Sequence, residues 1–309
     1  MLALPEGCIA AVISFTNPRD ACRLACVSTA FRSAADSDVV WDRFLPPDYL
    51  SAISDTGSVP GSPSPSPSTW LGLSKKELYL RICRCHNLIH NGKMSFWFDL
   101  SSGKKCYMMS ARGLNLDDAD DGFAWNWYSI PEAKHRFPEV VVRAEENPLE
   151  IGGKICTSLL SPMTTYVAYL VLAEFRMFSK YSAAAEAAVG LAGSNNGQNR
   201  TISFHWEQQD GEYDGFSPDQ LDGEPQDGDY DGFSLDQQDE DYVVLFPEPE
   251  DGDYDRFYPK KRADGWLESE LGEFFNRGDE DNELLMTINA GMKDGLLIQG
   301  IEIRPKKKQ

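Results

Sequence analysis

Three short helical patterns in the first 45 residues carry more apolar side chains than so small a unit can bury by itself. Pro5 suits a first helical turn, and Ile9, Val12 and Ile13 follow on one face. Asn17-Pro18-Arg19-Asp20 reads as a helix start, with an Asn cap, proline at the first helical position and an acid near the positive end of the helix dipole. Leu24 and Val27 extend that helix's apolar side. Ser28 can cap a third helix holding Phe31, Ala34 and Ala35, and Val40, Trp41 and Phe44 close the unit. A unit this short buries too little of its surface to be stable alone. Another surface must cover the remainder.

Residues 51–69 are rich in Ser, Pro and Gly, with Pro63, Pro65 and Pro67 alternating, and read as an extended, solvated spacer. From Met94 the texture changes to short strands. Met94–Leu100 runs into the turn signal Ser101-Ser102-Gly103-Lys104, and Cys106–Met109 follows. Further strand patterns occupy Glu139–Arg143, Thr165–Ala173, Arg200–Trp206, Leu284–Asn289 and Leu296–Arg304. Long helical patterns do not alternate with them, so an antiparallel β-sandwich is expected rather than a parallel βαβ fold.

Between Glu207 and Arg262 lies an insert with three irregular copies of an Asp-Gly-acid-Tyr-Asp pattern, starting at Asp210, Asp227 and Asp251. Dense Asp and Gly with little aliphatic content predict a loose acidic loop. It lacks the downstream bidentate Glu of an EF-hand calcium loop. The insert holds much of a net charge of −20, from 49 acidic and 29 basic residues. That balance argues against a nucleic-acid partner, which needs a basic face, and against docking on anionic membrane. The seven cysteines are scattered and predict reduced thiols. Pro5 and Glu6, with no basic n-region, read as no secretory leader. The longest apolar run, Tyr166 to Ala173, is far too short to span a bilayer. A cytoplasmic or nuclear protein is expected.

The N-terminal order Leu4-Pro5-Glu6-Gly7-Cys8-Ile9, then Asp20 to Leu24, Val27-Ser28-Thr29-Ala30-Phe31-Arg32 and Val40-Trp41 resembles an F-box. An F-box presents an apolar face to the Skp-family adaptor of a cullin-RING ligase, which would account for the uncovered surface. By that resemblance Leu4, Pro5, Ile9, Ile13, Pro18, Leu24, Val27 and Trp41 are the candidate contact or core residues.

A second resemblance covers roughly residues 76–305. Ser95–Asp99, Ser102–Tyr107, Ser110-Ala111-Arg112, Trp125-Asn126-Trp127, Asp264–Glu268, Leu271–Phe275 and Gly300–Pro305 look like the phloem protein 2 family of plants. The resemblance implies a jelly-roll-like, lectin-type sandwich behind the F-box, an α+β multidomain chain. Some members of that family are lectins for N-acetylglucosamine oligomers and N-glycan cores. Sugar binding needs an aromatic platform with carboxylates or amides for the hydroxyls. The family pattern places these at Trp125, Glu273 and Glu280, whereas the first expected tryptophan is Asp118 here. Core packing of a sandwich is the competing reading for Trp125, Trp127 and Trp266, and the favoured one.

Chemistry-bearing signatures are weak. Cys83-Arg84-Cys85-His86 with His90 lacks the paired CxxC-like spacing of structural zinc. The four histidines stand in no nucleophile–base pattern, and no GxSxG, P-loop or GxGxxG occurs. No cofactor or catalytic role is expected. The reading is a non-catalytic subunit: the F-box docks the adaptor, the linker sets the reach, and the β-domain recruits an unknown client. The alternative is a glycan-binding lectin, acting on glycosylated clients or apart from the ligase.

Overall fold

The computed structural model describes residues 4–46, 72–85, 87–116, 124–129, 136–143, 148–174, 184–194, 197–204, 257–292 and 296–307. The N-terminal unit holds α1 (Glu6–Ile13), α2 (Pro18–Leu24), α3 (Thr29–Asp36) and α4 (Asp38–Phe44). Its starts obey side-chain capping. Asn17 Oδ1 accepts from the Asp20 amide at 2.9 Å, and Ser28 Oγ accepts from the Phe31 amide at 3.2 Å. The Val40–Phe44 stretch expected to close the unit is itself helical, capped at Ser37. Ala10, Ile13, Ala21, Ala34, Ala35, Val40 and Trp41 form the core. The Trp41 indole donates to the Ala35 carbonyl at 2.7 Å, so its one polar atom is satisfied inside.

The next helix among the described residues, α5 (Lys75–Arg84), starts at a full capping box between Ser74 and Glu77. The strands after it are β1 (Asn87–Ile89), β2 (Met94–Phe98), β3 (Lys105–Ser110), β4 (Asn115–Leu116), β5 (Trp125–Ser129), β6 (Glu139–Arg143) and β7 (Pro148–Cys156). They continue with β8 (Thr164–Glu174), β9 (Ala184–Leu191), β10 (Gln198–Ser203), β11 (Lys260–Lys261), β12 (Leu267–Asn276), β13 (Glu283–Met292) and β14 (Leu296–Pro305). Among the described residues they form two sheets. The larger runs β1-β2-β3-β14-β8-β12-β11, with β5 and β6 joined to it at β14, and the smaller runs β10-β9-β13-β7-β4. Every pairing between these strands is antiparallel.

The sheets meet through side chains. A Cβ on Gly153 of β7 would stand 2.9 Å from Met109 Cε of β3 and 3.1 Å from Ile301 Cδ1 of β14. Ser269 of β12 donates to the Ser203 carbonyl of β10 at 3.3 Å. At Gly300 a Cβ would come within 1.9 Å of the Met109 carbonyl, so only glycine permits β14 and β3 to approach this closely.

The larger sheet is buried on both faces. Met108, Val140, Val142, Val171, Ala173, Trp266 and Leu297 form a second apolar cluster on its other face. Beside that cluster lies a lattice of ion pairs. Glu302 meets Arg136 at 3.3 Å, Arg262 at 3.1 Å and Arg304 at 3.0 Å, and Glu268 meets Arg262 and Arg304. Arg136 lies 3.9 Å over the Trp97 ring, and Arg304 lies 3.9 Å over Tyr169.

The expected spacer, 51–69, and residues 207–256 of the acidic insert lie outside the described residues. Residues 257–262, read as the end of that insert, are built into the fold. Phe257 bridges Ile202 and Lys260–Lys261 pairs with β12, because this segment joins the edges of the two sheets. No helix among the described residues is long and apolar enough to cross a membrane.

Candidate functional site

α1 is apolar around most of its circumference. Ala10 and Ile13 are buried and Ile9 is half-buried. The other side carries Cys8, Ala11 and Val12, and Leu4 before the helix and Phe15 after it are also exposed. Leu4 is 68% exposed, Val12 66% and Phe15 73%. A helix apolar on both sides belongs in an interior, yet here one side faces solvent. By contrast, α3 turns Phe31, Ala34 and Ala35 inward and Arg32, Ser33 and Asp36 outward. Val27 and Val39 add two more exposed valines to the same unit. Arg43 lies 4.2 Å over the Phe15 ring.

The eight residues named from the sequence therefore divide. Leu4, Pro5 and Val27 are exposed, Ile9 and Leu24 are half-buried, and Ile13, Pro18 and Trp41 are buried. Phe15 was missed. Its i, i+4 and i+7 spacing from Ala11 and Cys8 was the available signal.

The opposite side of the unit is closed by the rest of the chain. Trp41 meets Tyr79 of α5 at 5.2 Å between ring centroids, and Tyr79 stacks on Phe98 of β2 at 5.8 Å. The Tyr79 hydroxyl donates to the Asp99 carbonyl at 3.2 Å. Burial raises the Tyr79 phenol well above its usual range and pushes the neighbouring Cys83 thiol up to about 12, so both stay neutral. At the rim, Asp38 accepts from the Lys75 amide at 3.0 Å, the Lys75 ammonium pairs with Asp42 at 3.2 Å, and Lys76 pairs with Asp36.

Two family models match this chain. F-box-like covers residues 1–46 and Phloem protein 2 covers residues 104–305. The chain belongs to the F-box proteins of the phloem protein 2 type. It is similar to three Arabidopsis thaliana proteins over nearly its whole length. It is 36% identical to F-box protein PP2-B10, over 99% of this chain and 94% of that protein. It is 36% identical to F-box protein VBF, over 99% and 100%, and 35% identical to F-box protein SKIP3, over 99% and 88%.

In this F-box/phloem protein 2 chain the three residues read as a sugar site do not converge. Trp125 is 3% exposed, faces the core between the sheets and lies under the Arg143 guanidinium at 4.8 Å, so no ring face is open for stacking. Its ladder partner Arg143 is next to Val142, which pairs across Leu297 to Ala173 of β8. Glu273 pairs with Val167. Six residues of strand separate these levels, roughly 20 Å. Glu273 is also engaged, with Lys306 at 2.7 Å and Arg200 at 3.6 Å. Glu280 is exposed in the loop after β12 and accepts from Asn282 at 3.0 Å. Asp118 lies outside the described residues. A shallow open cleft lined by Glu186, Asn199, Arg200, Thr201 and Phe257 is present, but Arg200 there is already paired with Glu270 and Glu273.

Cys83 packs beside Tyr79, Cys85 caps α5 and His86 is outside the described residues. Among the described residues no three metal-ligating side chains gather.

Proposed function

We propose that this chain is the substrate-recognition subunit of a Skp–cullin–F-box ubiquitin ligase, acting in the cytoplasm or nucleus. The observation that carries the reading is the solvent-facing side of α1, where Val12 stands exposed on a helix whose other side is core, with Leu4 and Phe15 exposed just beyond its two ends. A Skp-family adaptor supplies the missing cover. Burying apolar area of this kind drives association at roughly 25 cal/mol per Å² before the costs of ordering. The β-domain then recruits the client, and the chain needs no reacting group of its own because the ligase's partner enzymes perform the transfer.

The similarity to F-box proteins named SKIP3 and VBF supports this reading. For the client, recognition through protein contacts is favoured over a glycan, because Trp125 is closed and Glu273 is engaged. The test is co-purification of the full chain with a plant Skp-family adaptor. Wild type is expected to hold the adaptor, and Leu4→Ala/Pro5→Ala to lose it while keeping the wild-type melting temperature. Retention by the double variant would remove α1 as the docking face. A glycan array on the full chain that returned N-acetylglucosamine or N-glycan binding would overturn the protein-client reading.

A further inference from the structure

The outer face of the smaller sheet looks onto solvent, and the strand register gives its rows. Glu150 of β7, Asn289 of β13, Glu186 of β9 and Thr201 of β10 stand side by side in one row. The next row is Gly152, Thr287, Ala188 and Asn199, and beyond it Leu285, exposed, lies opposite Gly190. The alternate residues, among them Ile151, Met286, Ile288, Ala187 and Val189, are buried in the core. A sheet face left to water ordinarily carries polar side chains, yet the middle of this one is a shallow trough of Gly, Thr and Ala with a carboxylate rim. Its charges are also treated differently. Glu139, Glu268, Glu270, Glu273, Glu283 and Glu302 each pair with a Lys or Arg. Among the described residues no cation pairs with Glu150 or Glu186, and Glu186 accepts from the Thr201 hydroxyl at 3.0 Å. Their strands lie two apart in the sheet, which sets the two carboxylates roughly 10 Å from each other. Beside Glu186 the open cleft shows the Phe257 ring, 40% exposed, and Arg200 in that cleft is already held by Glu270 and Glu273.

We infer that this face is the client-docking surface and that its occupant is a basic segment of a protein client. Lys or Arg side chains of that segment meet Glu150 and Glu186, and its apolar part lies on the floor of Gly152, Thr287 and Ala188. The centre of a protein interface is depleted in charge and its rim carries the polar groups, which is the pattern here. Opposite charge across such a rim sets partner choice and on-rate more than raw affinity. A cation entering the cleft meets the Glu186 carboxylate and the open part of the Phe257 ring, a cation–π partner. The chain's acid excess acts in the same direction. It leaves this edge of the sheet at Phe204 and returns at Phe257, and the sequence between them is the acid-rich insert, so a cationic partner is drawn to the edge and an anionic one repelled. The inference deepens the recruitment reading above and rests on it for what binding leads to. The docking face itself does not depend on the adaptor.

The experiment uses the full chain with the photo-crosslinking residue benzoylphenylalanine at Thr287, in the middle of the face, or at Val39, exposed on α4. The probe is a fluorescein-labelled peptide of Ala, Leu and Lys, and its counterpart carries Glu in place of Lys. The Lys peptide is expected to label the Thr287 position strongly and the Val39 position weakly, and the Glu peptide neither. Glu150→Gln/Glu186→Gln should cut labelling at Thr287 about tenfold, the scale of two rim charges. Asp279→Asn/Asp281→Asn removes two exposed carboxylates from the β12–β13 loop and should leave labelling within about twofold. Both variants should keep the wild-type melting temperature. Equal labelling at the two positions, equal loss from the two neutralisations, or labelling at Thr287 that ignores Glu150 and Glu186 would each overturn the inference. Adaptor binding, measured on the same samples, should be equal for wild type and both variants. If wild type binds no adaptor, the ligase reading fails while the labelling result still decides the docking face.

Discussion

The outer side of α1 and the outer face of the larger sheet are both surfaces that the main core leaves behind, and the chain treats them differently. On the sheet, Trp266, Met108 and their neighbours form a second cluster, and Glu302 and Glu268 knit together Arg136, Arg262 and Arg304. Each charge has an opposite within 3.3 Å, and two of the arginines also cover aromatic rings. At α1, among the described residues, Arg43 lies over the Phe15 ring, but Leu4, Val12 and Phe15 all stay exposed. A face completed within the chain signals architecture, and a face left apolar signals a partner. The difference is what leads us to propose the smaller unit as the adaptor-docking face, even though most of the chain belongs to the larger.

Breaking a closed surface should cost most. Trp41→Ala removes the ring that joins both domains and should destabilise by about 3–5 kcal/mol in urea titration. Glu302→Gln leaves three arginines without their shared partner and should cost about 3 kcal/mol, the range for removing one member of a buried ion cluster.

Acid should do the same to wild type. Burial alone would raise the Glu302 carboxyl, but Arg136, Arg262 and Arg304 more than offset it, and the net shift is downward. Such a group's contribution is fully present above its unfolded pKa of about 4.3 and is lost as pH falls through the folded value. The urea midpoint should therefore fall more steeply with acid in wild type than in Glu302→Gln. Smaller again is Glu273→Gln, whose partner Lys306 is exposed, at under ~1 kcal/mol. Val12→Asp on the open stripe should change stability by less than ~0.5 kcal/mol. A large loss there would mean that α1 is completed within the chain after all.

Much of this was legible in the sequence because local chemistry decided it. Asn17 and Ser28 cap where their side chains predict, and β2, β6, β8 and β14 follow their β-branched and aromatic runs. β9 was not legible. Ala184–Leu191 is alanine-rich with no strand signature, and pairing with β10 and β13 on its two sides makes it a strand. β7 carries Gly152 and Gly153, which weaken a strand by propensity but let the sheets approach. Direction was the harder problem. Val12 was grouped with Ile9 and Ile13, yet it lies on the stripe of Cys8 and Phe15, and composition could not say which side of so apolar a helix would meet the core. Trp125, left open between a sugar platform and the core, turns on the same question of direction. Its identity suits a sugar platform, but pleat direction turns it inward under Arg143.

The most direct measurement is isothermal titration of a plant Skp-family adaptor into the full chain and into Val12→Asp/Phe15→Asp. The account expects binding to wild type, at least a hundredfold weaker binding to the double variant, and the same melting temperature for both. Equal affinity for the two proteins, or a wild-type chain that binds no adaptor while its α1 stripe stays exposed, would contradict it.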